Sequence, residues 1–542
     1  MSLCMAVGSP VLITYSLSLT ILNRYWVRSR FDSLYSRAQS HVVQTTYSDY
    51  GKRLRAAQYL LQEAQQSPLR VSQEAGWLSS LVVAEVNQHW WLRLRERLRD
   101  TRRGVTFSLI AQIVLAAVAW LFTIIAAFDA DIGDISTALE IASGSLWVWM
   151  IPVICGWIYV GTQFRPGSID DALRADNAHR ALEPPCETGK EYGEKEEQQG
   201  IVARSGLTLH LKKPQQIASG LPAPSKKQLK LPTWLGADIR GDEKHEGPIY
   251  NYARVFTWWQ SASIIEAAFD TTITNLEGRR DAHNRPWIPN MRAEDNLVGD
   301  AIEMAIYSGL ATERATEDNI EAATEIESLS IAAYPEWASI RAHVWNRIIF
   351  ASFVALFVQW GTTGPAILIG YTTPTKGVGC RTGSYILYGT MATLVWILLS
   401  VSMLLSHWAL LIYQDIHTKN PDTDFRRYTN SLNCYSHTRT HSRICALAVL
   451  TRFAGKSLAV INTFWILSIS LFEEIGAYDN CWCSGDVATL GDQGWVVLFQ
   501  SASQLATQAQ LPWAASLIVS ILVCVAAFSF FWLASTTSSE SD

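Results

Sequence analysis

Long apolar runs punctuate this chain, and the polar stretches between them alternate in Lys/Arg content. Val105–Phe128 (VTFSLIAQIVLAAVAWLFTIIAAF) carries no charged side chain, over about the length a helix needs to cross a ~30 Å hydrocarbon core. Leu146–Gly161, Ile348–Tyr371, Tyr385–Tyr413, Ser457–Phe472 and Leu511–Ala534 read the same way, and Ala6–Leu22 is a further, more weakly apolar run. Inside lipid the backbone must satisfy its own hydrogen bonds, and a run of this length does so as a helix. The expected fold class is an all-α membrane protein with about seven transmembrane helices, six if the first segment does not span, and a largely helical cytoplasmic insertion.

These runs divide the chain into an N-terminal anchor (1–23), a cytoplasmic helical segment (24–104) and a transmembrane hairpin (105–163). A disordered linker (164–249) and a cytoplasmic helical region (250–347) follow. After them come a second hairpin (348–413), a basic cytoplasmic loop (414–447), a third hairpin with a Cys-containing outer loop (448–534) and a tail (535–542). Ala6–Leu22 lacks the basic leader of a secretory signal, and its charges (Arg24, Arg28, Arg30) come after it. That is the pattern of an uncleaved anchor with its N-terminus outside.

Charge sets the expected orientation. Residues 24–104 hold fourteen Lys/Arg against seven Asp/Glu, with Arg93, Arg95, Arg97, Arg99, Arg102 and Arg103 directly before the second run. Loops 129–144, 372–384 and 473–510 together hold nine acids and two bases, Lys376 and Arg381. Short loops rich in Lys/Arg stay cytoplasmic, which places 24–104, 164–347 and 414–447 inside and the C-terminus with them. The expected location is a plasma or secretory-pathway membrane. Many of the 22 Trp stand at run ends, as in a headgroup belt. The net charge of −5 excludes nothing further. Cys380, Cys481 and Cys483 fall in the expected outer loops, where disulfides persist. One residue separates Cys481 from Cys483, so a bridge from Cys380 to either is easier than one between them.

Within 24–104, Leu54, Ala57, Leu61 and Ala64, and after Pro68 also Leu78, Val82, Val86 and Trp90, recur at helical steps. Residues 183–248 mix the charge run Glu191–Glu197 with GLPAPSKKQLKLP, the composition of a loosely held linker. Ala253–Leu276 has Phe256, Trp259, Ile264 and Phe269 at helical spacing; Asp295–Ile331 reads as an acidic helical stretch.

Several stretches resemble a family of multi-pass integral membrane proteins of filamentous fungi to which no activity is assigned. They are Thr373-Pro374-Thr375-Lys376-Gly377-Val378-Gly379-Cys380-Arg381-Thr382-Gly383-Ser384-Tyr385 with Tyr388-Gly389, Leu146-Trp147-Val148-Trp149-Met150-Ile151-Pro152 through Trp157, and Ala253-Arg254-Val255-Phe256-Thr257-Trp258. The resemblance implies a fungal membrane protein and carries no catalytic residue across.

Candidate chemistry is sparse. Charges buried in lipid mark transport paths because they are expensive, and these runs nearly lack them. His407 lies toward the inner end of the fifth run, and Lys456 stands where it can snorkel to the inner surface. Gln112, Gln359, Asn462 and His407 are read as pore or packing residues, with interhelical hydrogen bonding the commoner role. Gly361-Thr362-Thr363-Gly364-Pro365 is either a kinked packing face or a broken, site-lining helix. His437 and His441, near Cys434, share a helical face but fall short of a zinc ligand set. Glu140, Glu473 and Glu474 are the carboxylates a membrane enzyme would draw on. No phosphate loop, dinucleotide fingerprint, nucleophile elbow or H-E-x-x-H occurs. The sequence therefore calls for no catalytic residue, cofactor, metal or nucleic acid. Its expected partners are the lipid bilayer and proteins met through the cytoplasmic region. Three functions are weighed: a structural, regulatory or partner-binding membrane protein first, a facilitative transporter or channel for a neutral solute second, and a membrane-embedded enzyme of secondary metabolism third.

Overall fold

The computed structural model describes residues 2–40, 43, 49–69, 75–102, 107–129, 135–161, 167–174, 240–288, 301–314, 325–328, 334–373, 377–419, 439–477 and 502–536. Its helices are α1 (Ser2–Gly8), α2 (Pro10–Ala38), α3 (Tyr50–Glu63), α4 (Ala75–Val83) and α5 (Gln88–Asp100). Next come α6 (Phe107–Asp129), α7 (Ile135–Trp147), α8 (Met150–Val160), α9 (Ser168–Arg174), α10 (Val255–Gly278) and α11 (Ala301–Tyr307). Four long helices finish the chain: α12 (Ala342–Thr372), α13 (Cys380–Lys419), α14 (Arg439–Glu474) and α15 (Ala502–Thr536). One antiparallel pair, β1 (Ala311–Arg314) with β2 (Glu325–Ser328), sets Ala311 opposite Ser328.

Five of the described segments are long and apolar enough to cross a membrane: Glu140–Val160, Ala342–Thr372, Cys380–Asp415, His441–Glu473 and Ser503–Leu533. The number rises to six if the bent pair α1–α2 counts as one span. Five or six of the expected seven thus stand among the described residues. α6 is the 23-residue helix read from the second run, but only its Ile113–Phe122 stretch registers as a shorter apolar helix. The helices run alternately between two ends. At one, Gln508 Nε2 donates to Thr372 O (3.0 Å), Trp513 Nε1 donates to Thr373 Oγ1 (3.1 Å) and Tyr385 Oη donates to Glu473. At the other, the domain end, the Tyr334 backbone N–H donates to Gln414 Oε1 (3.0 Å) and α2 passes into the polar part of the chain.

The first run differs most from expectation. Instead of a straight anchor it is broken at Ser9, where α1 and α2 meet at 102°. Ser9 Oγ accepts from Leu12 N (3.3 Å) and Pro10 sits at the first helical position, a usual start for a helix. From Pro10 to Ile21 every residue is buried, so α2 is the central post of the bundle. Ser2 Oγ lies 3.4 Å from Tyr250 Oη, beside the polar part of the chain rather than across the bundle from it.

Beyond Leu22, α2 continues into a helical domain built from α3, α4, α5, α10 and α11. The apolar positions read at helical steps (Leu54, Ala57, Leu61, Ala64, Leu78, Val82, Trp90) are buried in it, and Val86 is exposed. Phe269 gathers the domain centre, its ring within about 6 Å of Phe31, Tyr50 and Trp91. The linker boundaries move: Ser168–Arg174 is helical, and residues 240–254 form two 3-10 turns, Gly241–Lys244 and Pro248–Arg254, with Asp242 and Glu243 buried. The remainder, 164–166 and 175–239, lies outside the described residues. Part of the acidic stretch 295–331 is the β1–β2 hairpin rather than helix.

Candidate functional site

The bundle meets the domain at a buried charged cluster. Two of its cations, Arg452 and Lys456, stand four residues apart on α14 and so share one face. Lys456 Nζ pairs with Asp242 Oδ1, and both side chains are 1% exposed. Tyr252 Oη donates to the other carboxylate oxygen. Arg452 Nη2 donates to Ser406 Oγ on α13 (2.5 Å). Gly241 makes the approach possible: its φ of +52° favours glycine, and a Cβ there would run into the Arg452 guanidinium.

A third buried cation, Arg254, ties this segment to the domain. Arg254 donates from Nε to Gln65 O (3.1 Å) and from Nη1 to His245 O. Its Nη2 donates to Gly247 O (3.0 Å) and to Asn251 Oδ1 (2.9 Å). Gly247 N in turn donates to Gln66 O (2.9 Å). Two anchors then fix the segment to α2: Ser16 Oγ donates to Ile249 O (3.3 Å), and Asn251 Nδ2 donates to Thr20 Oγ1 (2.7 Å). Isolated charges cannot be buried this deeply, and the cluster is tolerable because each is paired or hydrogen-bonded.

The environment shifts the titrating groups outside the spans. Burial, with the nearby Asp242 carboxylate, holds the Tyr252 phenol well above its usual range. Burial pulls the Arg254 guanidinium down to about 10, against Glu243, Glu246 and Asp242, which favour its charge. Burial likewise lowers His245, opposed by Asp242. Beside the cluster lies a cavity of about 20 Å³, lined by Asp242, Glu243, Tyr252, Ser402, Ser406 and His407 among others. It suits one or two waters held by the polar part of a lining that also includes Phe256, Met403 and Leu410, and is too small for a metabolite. Among the described residues no group of three His, Cys, Asp or Glu is placed to hold a metal ion.

Of the residues singled out in the sequence, His407 and Lys456 converge here and the other described ones do not. His407 Nε2 lies 2.9 Å from Pro335 O, with its ring against Phe256 and Trp337 (4.7 Å each). Lys456 does not snorkel; it turns inward to Asp242, because a buried carboxylate is a better partner than a distant surface. Gln359 Nε2 donates to Thr363 Oγ1 (2.8 Å) one turn along its own helix. α12 runs unbroken through Gly361–Pro365, and Gly361 lets Val523 of α15 approach. Asn462 Nδ2 donates to Gly8 O (2.7 Å) and Tyr388 O (3.1 Å), satisfying backbone where α1 breaks from α2. Thr463 Oγ1 donates to Cys4 O (2.7 Å) and Ser9 Oγ to Ala392 O (2.8 Å) in the same region. The Gln112 side chain, Cys434, His437, Cys481 and Cys483 lie outside the described residues. Cys380 opens α13 at the end opposite the domain, where Tyr385 meets Glu473.

Sequence reading missed Asp242, Tyr252, Arg254 and Arg452. The available signal was the spacing of Arg452 and Lys456 at the start of an apolar run, together with a charged stretch, Arg240–Gly247, that has no apolar side chain. No protein-family model, curated protein or solved structure matches the chain.

Proposed function

We propose that this is an integral multi-pass membrane protein with a structural, regulatory or partner-binding role, in which the bundle holds a folded helical domain rigidly at the membrane surface. One observation carries the reading: α2 runs from the bundle centre into the domain, and a single hydrophobic core extends with it from Val11 and Leu17 to Leu61 and Phe269. A protein that only needed an anchor would have no use for such continuity. The polar side chains of the spans support it, because Asn462 and Gln359 are engaged in packing rather than lining a path. A broken helix such as α1–α2 can line a transport site, and that is the second reading, a facilitative carrier for a neutral solute.

Stopped-flow light scattering on reconstituted liposomes separates the two. The anchoring reading expects permeability to small neutral solutes equal to that of empty vesicles, and a saturable, solute-selective flux would overturn it. In the same reading the chain crosses six times, with α6 included and the bent α1–α2 pair entering and returning on the domain side, and the domain end faces the cytoplasm. Glycosylation of a sequon engineered into 190–230 would overturn that orientation. A bridge from Cys380 to Cys481 or Cys483 belongs to the same picture, supported by the Tyr385–Glu473 hydrogen bond at that end. Non-reducing mass spectrometry should find the linked peptides, and free thiols at all three positions would exclude it.

A further inference from the structure

Residues 240–256 dock in two chemically different halves. From Arg240 to Gly247 (RGDEKHEG) there is no apolar side chain, yet Gly241, Asp242 and Glu243 are buried. From Ile249 onward the segment is held by apolar burial, with Ile249, Tyr250, Tyr252, Val255 and Phe256 all in the core. The first half therefore has no apolar side chain of its own to hold it. Its contacts at Gly241–Lys244 include the Asp242–Lys456 pair, the Tyr252 hydroxyl and backbone hydrogen bonds, while His245–Gly247 is held by Arg254, Gly167 and Gln66. We infer that Gly241–Lys244 is an electrostatic latch: it closes the water-sized cavity between α13 and α14 at the domain end and can release while Ile249–Phe256 stays seated.

The physical basis is the asymmetry of a buried ion pair. Intact, it gains little over an apolar pair of similar shape, but removing one partner strands a charge and is strongly destabilising. A contact with those properties responds sharply to loss of either charge. Here the stranded charge has an easy escape, because the segment carrying Asp242 is short and has no apolar anchor of its own. Release would return Asp242 and Glu243 to water and open the Ser402, Ser406 and His407 wall of the cavity from the domain end. The latch does not depend on whether the protein anchors a domain or carries a solute.

Hydrogen–deuterium exchange on the full-length protein in nanodiscs tests this, comparing wild type with Asp242→Asn, Lys456→Met and the double variant. Each single substitution should speed exchange of 240–247 at least tenfold, with 249–276 and the spans unchanged. The double variant should be no faster than the quicker single, because once one charge is gone the other is already unpaired. Three results would each overturn the latch: unchanged exchange at 240–247, exchange that rises equally across 249–276 and α14, or an effect in the double variant equal to the product of the singles. The second result also identifies a variant that has simply lost its fold.

Discussion

α2 and α6 were both read from the sequence as membrane-crossing runs, and the fold uses them in opposite ways. α6 is the more apolar, and it shows Ile110, Val114, Leu115, Val118, Leu121, Phe122 and Ile125 to the surroundings. It touches the outer bundle through Trp120, which packs on Gly144. α2 is the weaker run, carrying Ser9, Thr14, Ser16, Ser18 and Thr20, and it is enclosed on every side. The difference follows from the solvent. A helix facing lipid has nothing to satisfy a polar side chain and must be apolar, whereas one enclosed by other helices can use hydroxyls. Ser18 and Thr20 donate back to Thr14 O and Ser16 O, while Ser9 reaches across to α13. Weak hydropathy here marks a helix at the centre of the bundle.

The comparison is most easily broken by trimming one leucine in each helix. Leu17→Ala, at a fully buried site in contact with Gly156, should cost about 3 kcal/mol. Leu115→Ala on the exposed face of α6 should stay within about 0.5 kcal/mol. Thermal unfolding of both variants in one detergent reads the contrast, and equal losses would mean α6 is buried against something other than lipid.

Gly8→Val probes how α2 is seated. A side chain at Gly8 would collide with the Ala459 carbonyl of α14, so a loss of about 2–3 kcal/mol is expected, together with faster proteolysis of the first ten or so residues. Stability like that of the native protein would show that the α1–α2 break does not need this close approach. Asn462→Leu removes two hydrogen bonds to backbone, one to Gly8 at the same break and one to Tyr388 of α13. Interhelical hydrogen bonds in membranes are modest, so about 1 kcal/mol is expected, and a Gly8→Val/Asn462→Leu double-mutant cycle should show coupling between the sites.

The smallest effect concerns the domain side. His245 has a folded pKa below 6.5 because it is half-buried, while Asp242 and the cations Lys456, Arg254 and Arg452 act on it in opposite directions. Below pH 6.5 the unfolded chain then binds more protons than the folded one, so stability falls on acidification through that value and levels off below the folded pKa. Solvent screening keeps the slope to a fraction of the ~1.4 kcal/mol per pH unit of a fully shifted group. Unfolding temperatures from pH 8 to 5 should fall less steeply in His245→Gln than in the native protein. An identical pH profile would assign the acid sensitivity to other groups.

Much of the architecture follows from local sequence. The apolar runs became α6, α8 and α12–α15, and the stepped leucines and alanines of 50–64 and 75–98 became buried helix faces. These survive because periodicity and length are read residue by residue, with no knowledge of neighbours. The charged site was illegible for the converse reason. Asp242 stands in a stretch that composition reads as solvated linker, and its partner Lys456 lies 214 residues away. Only when α14 and the segment Arg240–Arg254 are brought together does each charge find an environment in which burial is tolerable.

The sequence by itself determined that the chain is helical and carries helices long and apolar enough to cross a membrane, because a long apolar run has one way to satisfy its backbone in hydrocarbon. The tertiary structure decided which helix stands at the centre, where the first run breaks and which charges are buried. Those outcomes depend on what surrounds each residue: hydroxyls on α2 need enclosing helices, the turn at Ser9 needs Asn462 and Thr463 from α14, and Asp242 needs Lys456. Pairwise complementarity across hundreds of residues is a property of the packed chain, and no window of the sequence contains it.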